Sequence, residues 1–187
     1  MKLLKKRWFA AVLMALLVLL ALFLGPVRSA YAARSAAKNA FFEPEDGFGS
    51  LYDSFTTVTD VAKIMASLGD NYGLEEKTSE YRKTIDTLKK AKMPAEKLYA
   101  SQRLFNETEH FYTEISSLEN LDMIDADTAS RAASRLSVEQ SRIEQIVRVR
   151  KNSFNAAVEE YNTGVLDSPV IGWLLRLLGF QEMEKIY

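Results

Sequence analysis

The chain has no cysteine and one histidine among 187 residues. The missing cysteine excludes thiol nucleophiles, thiolate metal sites and lipid anchoring through a cysteine. It does not exclude export, because a domain of this size can form a core without disulfides. The single histidine, His110, closes Glu107-Thr108-Glu109-His110, which has the Glu-x-x-His spacing of four-helix di-iron bundles. Such a site needs the motif twice and two further glutamates, so one histidine cannot supply it. A Ser-His-Asp arrangement would need the same histidine, and no nucleophile-elbow sequence marks a serine. Gly47-Phe48-Gly49 lacks the remainder of either phosphate-binding glycine fingerprint. Glu75-Glu76 and Glu159-Glu160 are adjacent pairs, and neighbours on a helix point about 100° apart. They read as exposed faces rather than acid–base pairs. Asn106-Glu107-Thr108 is a formal glycosylation sequon that reads as accidental. No catalytic residue, metal site or cofactor is expected. The remaining enzymatic reading is an envelope hydrolase acting through His110 or a clustered glutamate.

A basic excess is also missing. Residues 1–32 hold Lys2, Lys5, Lys6, Arg7 and Arg28 and no acid, which leaves 19 basic and 25 acidic groups in the rest, a net of −6. Nucleic-acid binding relies on basic patches that displace counterions, so it is not expected. Lys89, Lys90 and Lys92, and Arg148, Arg150 and Lys151, read as solvated helix faces.

What is present begins at the N-terminus. Lys5-Lys6-Arg7 precedes an uncharged, Leu- and Ala-rich run from Trp8 to Leu24. As a helix this run spans about 26 Å, just short of a hydrocarbon core of about 30 Å. Gly25-Pro26 is expected to interrupt it. Ala30-Tyr31-Ala32 then offers small residues at the positions a signal peptidase reads, with cleavage between Ala32 and Ala33. The run is long for a signal core and short for a span, so both anchor and cleaved signal stand. In either case the basic end stays inside and the rest lies outside. The sequence therefore divides into a cytoplasmic basic segment (1–7), an anchor or signal core (8–27), a juxtamembrane linker (28–49) and a helical domain (50–187).

Within that domain helical periodicity dominates, and no period-two pattern persists. Residues 33–42 read as a short helix or linker, and Glu43 to Gly49 as a loop. Leu51, Phe55, Val58, Ala62 and Met65 form one stripe, with Gly69 in the place of a C-terminal cap. After a turn at Asp70–Gly73, Leu74, Thr78, Tyr81, Ile85 and Leu88 form a second stripe. Pro94 opens a third helix, whose Leu98, Leu104, Phe105, Phe111, Ile115 and Leu118 cover more than one face, as in a central helix. Asp125 or Asp127 is expected to cap the longest helix, from about Thr128 to Thr163, roughly 54 Å. Ala129, Leu136, Ile143 and Ala157 fall on a seven-residue spacing that Arg150 interrupts. Gly164 ends the rod. Ser168-Pro169 starts a last helix, Val170 to Leu178, which is too short to span a bilayer; it can lie on the membrane surface or hold a partner, and the favoured reading is that it folds back as a lid on the bundle. The class is all-α, and a rod of that length calls for an elongated antiparallel bundle of long helices.

Glu144, Val147, Lys151, Phe154-Asn155, Val158, Tyr161-Asn162, Val165, Pro169 and Gly179-Phe180 carry a spacing that resembles the C-terminal pattern of the LemA family. Phe154 stands where the family has Tyr. The first half of the domain departs from the family: Asn39-Ala40-Phe41 and Leu51-Tyr52-Asp53 are loose echoes, and the usual Arg-Arg is absent. The resemblance implies a membrane-tethered, extracytoplasmic bundle without a settled biochemical role. In physical terms, Phe154 and Tyr161 are one heptad apart on one helix face. Asn155 and Asn162, about 100° further round, can hydrogen-bond a neighbouring helix and fix register. The alternative is a small polar recognition site.

The expected function is that of an envelope scaffold or interaction protein. Its partners would be the membrane, through the N-terminal helix, other envelope proteins, and a second copy of itself. The alternative is a secreted helical module that binds a peptide or small ligand after cleavage at Ala32.

Overall fold

The computed structural model describes residues 2–42, 49–169 and 171–187. Among them are six α-helices, one π-helix and no strand. The first helix, α1 (Lys2–Phe42), is 41 residues long, about 62 Å. It continues through Pro26, where an interruption was expected. Pro26 removes one donor, the N–H that would bond the Leu22 carbonyl, and the residue before it is Gly25, which has no Cβ to clash with the ring. One missing bond within so long an apolar helix does not break it. The expected linker is thus helical as far as Phe42. The expected loop from Glu43, with Gly47-Phe48, lies outside the described residues except for Gly49.

Burial changes sharply along α1. Every described residue from Arg7 to Gly25 is exposed, Trp8 by 72%, whereas Pro26 and Val27 are half-covered and Ala30, Ala37 and Phe41 are buried. Among the described residues α1 is the helix long and apolar enough to cross a membrane, and its most apolar stretch is not covered by protein.

The chain forms two compact units, residues 1–37 with 155–185, and residues 38–154 with 186–187. In the second unit, α2 (Leu51–Asn71), α3 (Glu75–Lys90) and α4 (Pro94–Ser116) each pack on the other two. Their three-residue connections make sequential helices antiparallel neighbours. The Ser50 hydroxyl caps α2 by accepting the Tyr52 N–H at 3.1 Å. All five residues of the first expected stripe are buried. Of the second, Thr78, Tyr81, Ile85 and Leu88 are buried and Leu74 is half-exposed.

Gly69 does not cap α2. It is helical and buried, and a Cβ there would lie 2.4 Å from the Phe111 ring and 2.5 Å from Thr78 Oγ1. The left-handed residue is Gly73 (φ +77°), which lets the Leu74 N–H reach the Gly69 carbonyl at 2.9 Å. Pro94 opens α4 as read from sequence, and the Glu96 carboxylate accepts the Met93 N–H at 3.1 Å. The buried residues of α4, from Ala100 to Ile115, form one broad face of roughly 140°. Leu98 and Leu118, which made the helix look central, are only half-buried.

Helix α5 (Met123–Glu159) starts five residues earlier than expected. Its cap is Asp122, whose carboxylate accepts the Ile124 N–H at 2.6 Å and the Asp125 N–H at 3.2 Å. Asp125 instead accepts the Tyr72 hydroxyl at 2.8 Å, and Asp127 pairs with Arg131. Ala129, Leu136 and Ile143 are buried at the expected spacing, and Ala157 is half-buried.

In the first unit the chain leaves α5 as a π-helix, Glu160–Leu166, with the Asp167 N–H bonded to the Asn162 carbonyl five residues back. Gly164 lies exposed inside this segment and does not end it. Ser168 and Pro169 form a turn rather than a helix start, and α6 (Gly172–Leu177) begins after it; Val170 lies outside the described residues. A Cβ on Gly172 would lie 2.0 Å from the Leu166 carbonyl oxygen, so only glycine lets α6 fold so closely onto the π-helix. Gly179 (φ +85°) closes α6, with the Phe180 N–H bonded to the Leu175 carbonyl at 3.0 Å.

Candidate functional site

The C-terminal motif residues fall in two places. In the second unit, Glu144 is exposed and accepts the Gln140 amide at 3.1 Å, while Val147 and Lys151 are half-buried. Phe154 is buried with its ring 5.1 Å from Phe41, in a cluster that continues through Phe42 to Tyr52 and Phe55.

In the first unit, Val158 and Tyr161 are buried, Asn155 and Val165 half-buried, and Pro169 exposed. Asn162 makes a two-point contact: its Nδ2 donates to the Met183 carbonyl and its Oδ1 accepts the Met183 N–H, both at 2.9 Å. A side-chain amide that pairs with both backbone groups of one residue acts as a strand would. It fixes the register of the C-terminal tail without reading the tail's side chain. The Tyr161 hydroxyl points at the Gln181 carbonyl at 3.5 Å. Burial pushes the Tyr161 phenol above its ordinary value, partly offset by the Arg34 charge. Phe180 is buried edge-on against Tyr31, with centroids 4.8 Å apart. Where a neighbouring helix was expected as the partner of the second Asn, its partner is the chain's own non-helical C-terminal tail.

The residues read as a cleavage site are all helical within α1. Ala30 is fully buried, Ala33 half-buried and Ala32 exposed.

Arg150, read both as part of a solvated helix face and as an interruption of the apolar spacing, is not solvated: it is 3% exposed. Its Nη1 donates to the Phe41 carbonyl at 2.9 Å and its Nη2 to the Gly49 carbonyl at 3.0 Å. Phe41 is in the last turn of α1, where carbonyls have no partner within the helix. The guanidinium thus caps α1 and holds the chain on either side of residues 43–48. The signal was in the sequence: a charge on the buried spacing needs a buried acceptor.

A groove of about 530 Å³ runs between α3 and α4. Lys77 pairs with Glu114 across it, and Arg103 with Glu107 along α4 at 2.8 Å. Its floor is Tyr81, stacked on Phe111 at 4.7 Å and hydrogen-bonded to Thr108 Oγ1 at 2.6 Å. Burial pushes the Tyr81 phenol up to about 12. His110 is exposed on the rim. No group of three His, Asp or Glu among the described residues could hold a metal ion. Thr108 of the sequon is buried. Glu75 and Glu76 are exposed in the first turn of α3, where the helix dipole favours them. Glu159 pairs with Lys185 at 3.0 Å, and Glu160 is exposed. Glu75, Glu76, Glu159 and Glu160 thus sit on exposed surface, Glu159 in an ion pair.

The chain matches no protein-family model, no curated protein and no solved structure.

Proposed function

We propose that this chain is a membrane-anchored, extracytoplasmic helical interaction protein of LemA type. Helix α1 anchors it, and its helical units present rigid surfaces to other envelope proteins. One observation carries this reading: the exposed apolar stretch of α1 ends where protein packing begins, at Pro26. A helix that is apolar all round and uncovered has no favourable place in water. The twenty residues from Trp8 to Val27 measure about 30 Å, the thickness of a hydrocarbon core. The basic cluster before the run orients it with the helical units outside.

The packing favours an anchor over a cleaved signal. Cleavage after Ala32 would remove Ala30, which is fully buried, and Tyr31, which packs on Phe180. The resemblance at Glu144–Phe180 supports the same reading, since Asn162, Gly179 and Phe180 all hold one folded-back C-terminus.

The test is alkaline carbonate extraction of membranes carrying the full chain, followed by protease added from the outer side. The chain should stay in the pellet, and protease should leave a protected fragment containing Trp8 to Val27. Release of intact chain into the wash contradicts the anchor. Crosslinking in those membranes should then give discrete adducts; crosslinked membranes that yield only uncoupled chain contradict the interaction role.

A further inference from the structure

The face of α6 turned away from its own unit is apolar. Gly172 and Leu175 are buried against the π-helix, whereas Trp173, Leu177 and Leu178 are 65%, 75% and 54% exposed. The charge between them, Arg176, is neutralised by Asp167 at 2.8 Å and Glu182 at 3.1 Å. Exposed tryptophan and leucine on so short an element need a partner.

The position of α6 identifies that partner. Phe180, two residues after Leu178, packs on Tyr31 of α1. Tyr31 lies four residues beyond Val27, about 6 Å along the helix axis. The headgroup layer on each side of a bilayer is roughly 5–8 Å deep. Tyr31 and Phe180 therefore lie at headgroup level, and all of α6, about 9 Å long, is within one helix length of it. Arg28, exposed one turn before Tyr31, stands at the same level with its charge available to lipid phosphates. Tryptophan is the side chain most at home in this layer, with an apolar body and one polar N–H.

We propose that α6 is a membrane-interface element: Trp173, Leu177 and Leu178 insert into the headgroup region of the outer face of the same bilayer that α1 crosses. This rests on the anchor reading above. The contact gives the protein a second hold on the lipid surface, fixed to the anchor through Tyr31 and Phe180. It limits tilt and rotation of the unit that carries the C-terminal tail.

The chain has two tryptophans, so Trp8→Phe leaves Trp173 as sole emitter and Trp173→Phe leaves Trp8. Each full-length variant is placed in phosphatidylcholine vesicles with a minor share of phosphatidylglycerol, brominated at a shallow or a deep acyl position. Trp173 emission should be blue-shifted and should lose more intensity to shallow than to deep bromines. Changing both Leu177→Glu and Leu178→Glu should shift it to the red and relieve the quenching, with the helical circular-dichroism signal unchanged. Water-like, unquenched Trp173 emission beside a quenched Trp8 overturns the contact and leaves the anchor standing. Blue-shifted but unquenched Trp173 emission also overturns it, because protein rather than lipid then covers the face. Loss of quenching at both residues overturns anchor and contact together.

Discussion

From Trp8 to Gly25, the described residues of α1 leave their apolar side chains exposed, whereas from Pro26 to Phe42 the same helix buries Ala30, Ala37, Phe41 and Phe42 in protein. The backbone is one continuous helix, so the difference lies in the side chains. Large residues such as Trp8, Leu16 and Phe23 give way to Ala30 and Ala37, whose small side chains allow close packing. One continuous helix thus carries two kinds of surface, an uncovered apolar part that the proposed anchor would place in lipid and a part that packs in protein. The change falls at Gly25-Pro26, where a single helix bond is lost.

The largest expected effect breaks the first part. Leu16→Arg places a charge near the middle of the exposed run, at about 3 kcal/mol for insertion. The carbonate-resistant fraction of the chain should collapse. The matching change in the second part, Ala30→Arg, should leave membrane retention intact and lower the thermal midpoint instead. Equal effects of the two substitutions on retention would erase the distinction.

Next in size is the clamp that ends the packed part. Arg150→Ala leaves the Phe41 and Gly49 carbonyls without their charged donor and empties a buried position, with a loss of about 3 kcal/mol. Chemical denaturation should show this as a lower midpoint with membrane retention unchanged. An unaltered midpoint would mean that the guanidinium does not hold the end of α1.

Asn162→Ala removes both hydrogen bonds to Met183 and should cost about 1–2 kcal/mol. Hydrogen exchange at the Met183 amide should speed up while amides of α2–α4 keep their protection. Uniform loss of protection would place Asn162 in the global core rather than in a local latch.

The smallest effect is a pH dependence in α3. The Tyr81 phenol is raised by burial, to about 12 against an ordinary 10. Its contribution to stability is complete below pH 10, where the phenol is neutral in both states. It declines as pH rises from 10 towards 12, because the unfolded chain then ionises first. Tyr81→Phe should remove that part of the alkaline loss, at a cost near 1 kcal/mol at neutral pH from the lost Thr108 bond. An unchanged alkaline profile in Tyr81→Phe would contradict the assignment.

The apolar stripes of α2 and α3, the start of α4 at Pro94 and the seven-residue spacing of α5 are legible in the sequence because each is a local pattern with a helical period. The ends of helices are less so. Gly69 and Gly164 look like stops, yet Gly69 is there to admit the Phe111 ring and Gly164 lies inside a π-turn. The true left-handed caps, Gly73 and Gly179, are told apart only by backbone geometry. Asp122 outranks Asp125 and Asp127 as a cap because Tyr72, fifty residues away in sequence, reaches into that turn. The roles of Arg150 and Asn162 depend on carbonyls distant in the chain, and no local pattern encodes those. The heptad pair Phe154 and Tyr161 was readable as buried, but their separate partners, Phe41 and the C-terminal tail, were not.

The account stands most directly on whether the membrane-bound protein keeps the bond between Ala32 and Ala33, which joins the apolar part of α1 to the rest of the chain. Mass spectrometry of a tryptic digest of the mature protein reads this from one peptide, Ser29 to Arg34, which spans the bond between Ala32 and Ala33. The account predicts that peptide intact, together with Trp8 to Arg28, in the membrane fraction. A mature chain that begins at Ala33 and is recovered in the soluble fraction would contradict it.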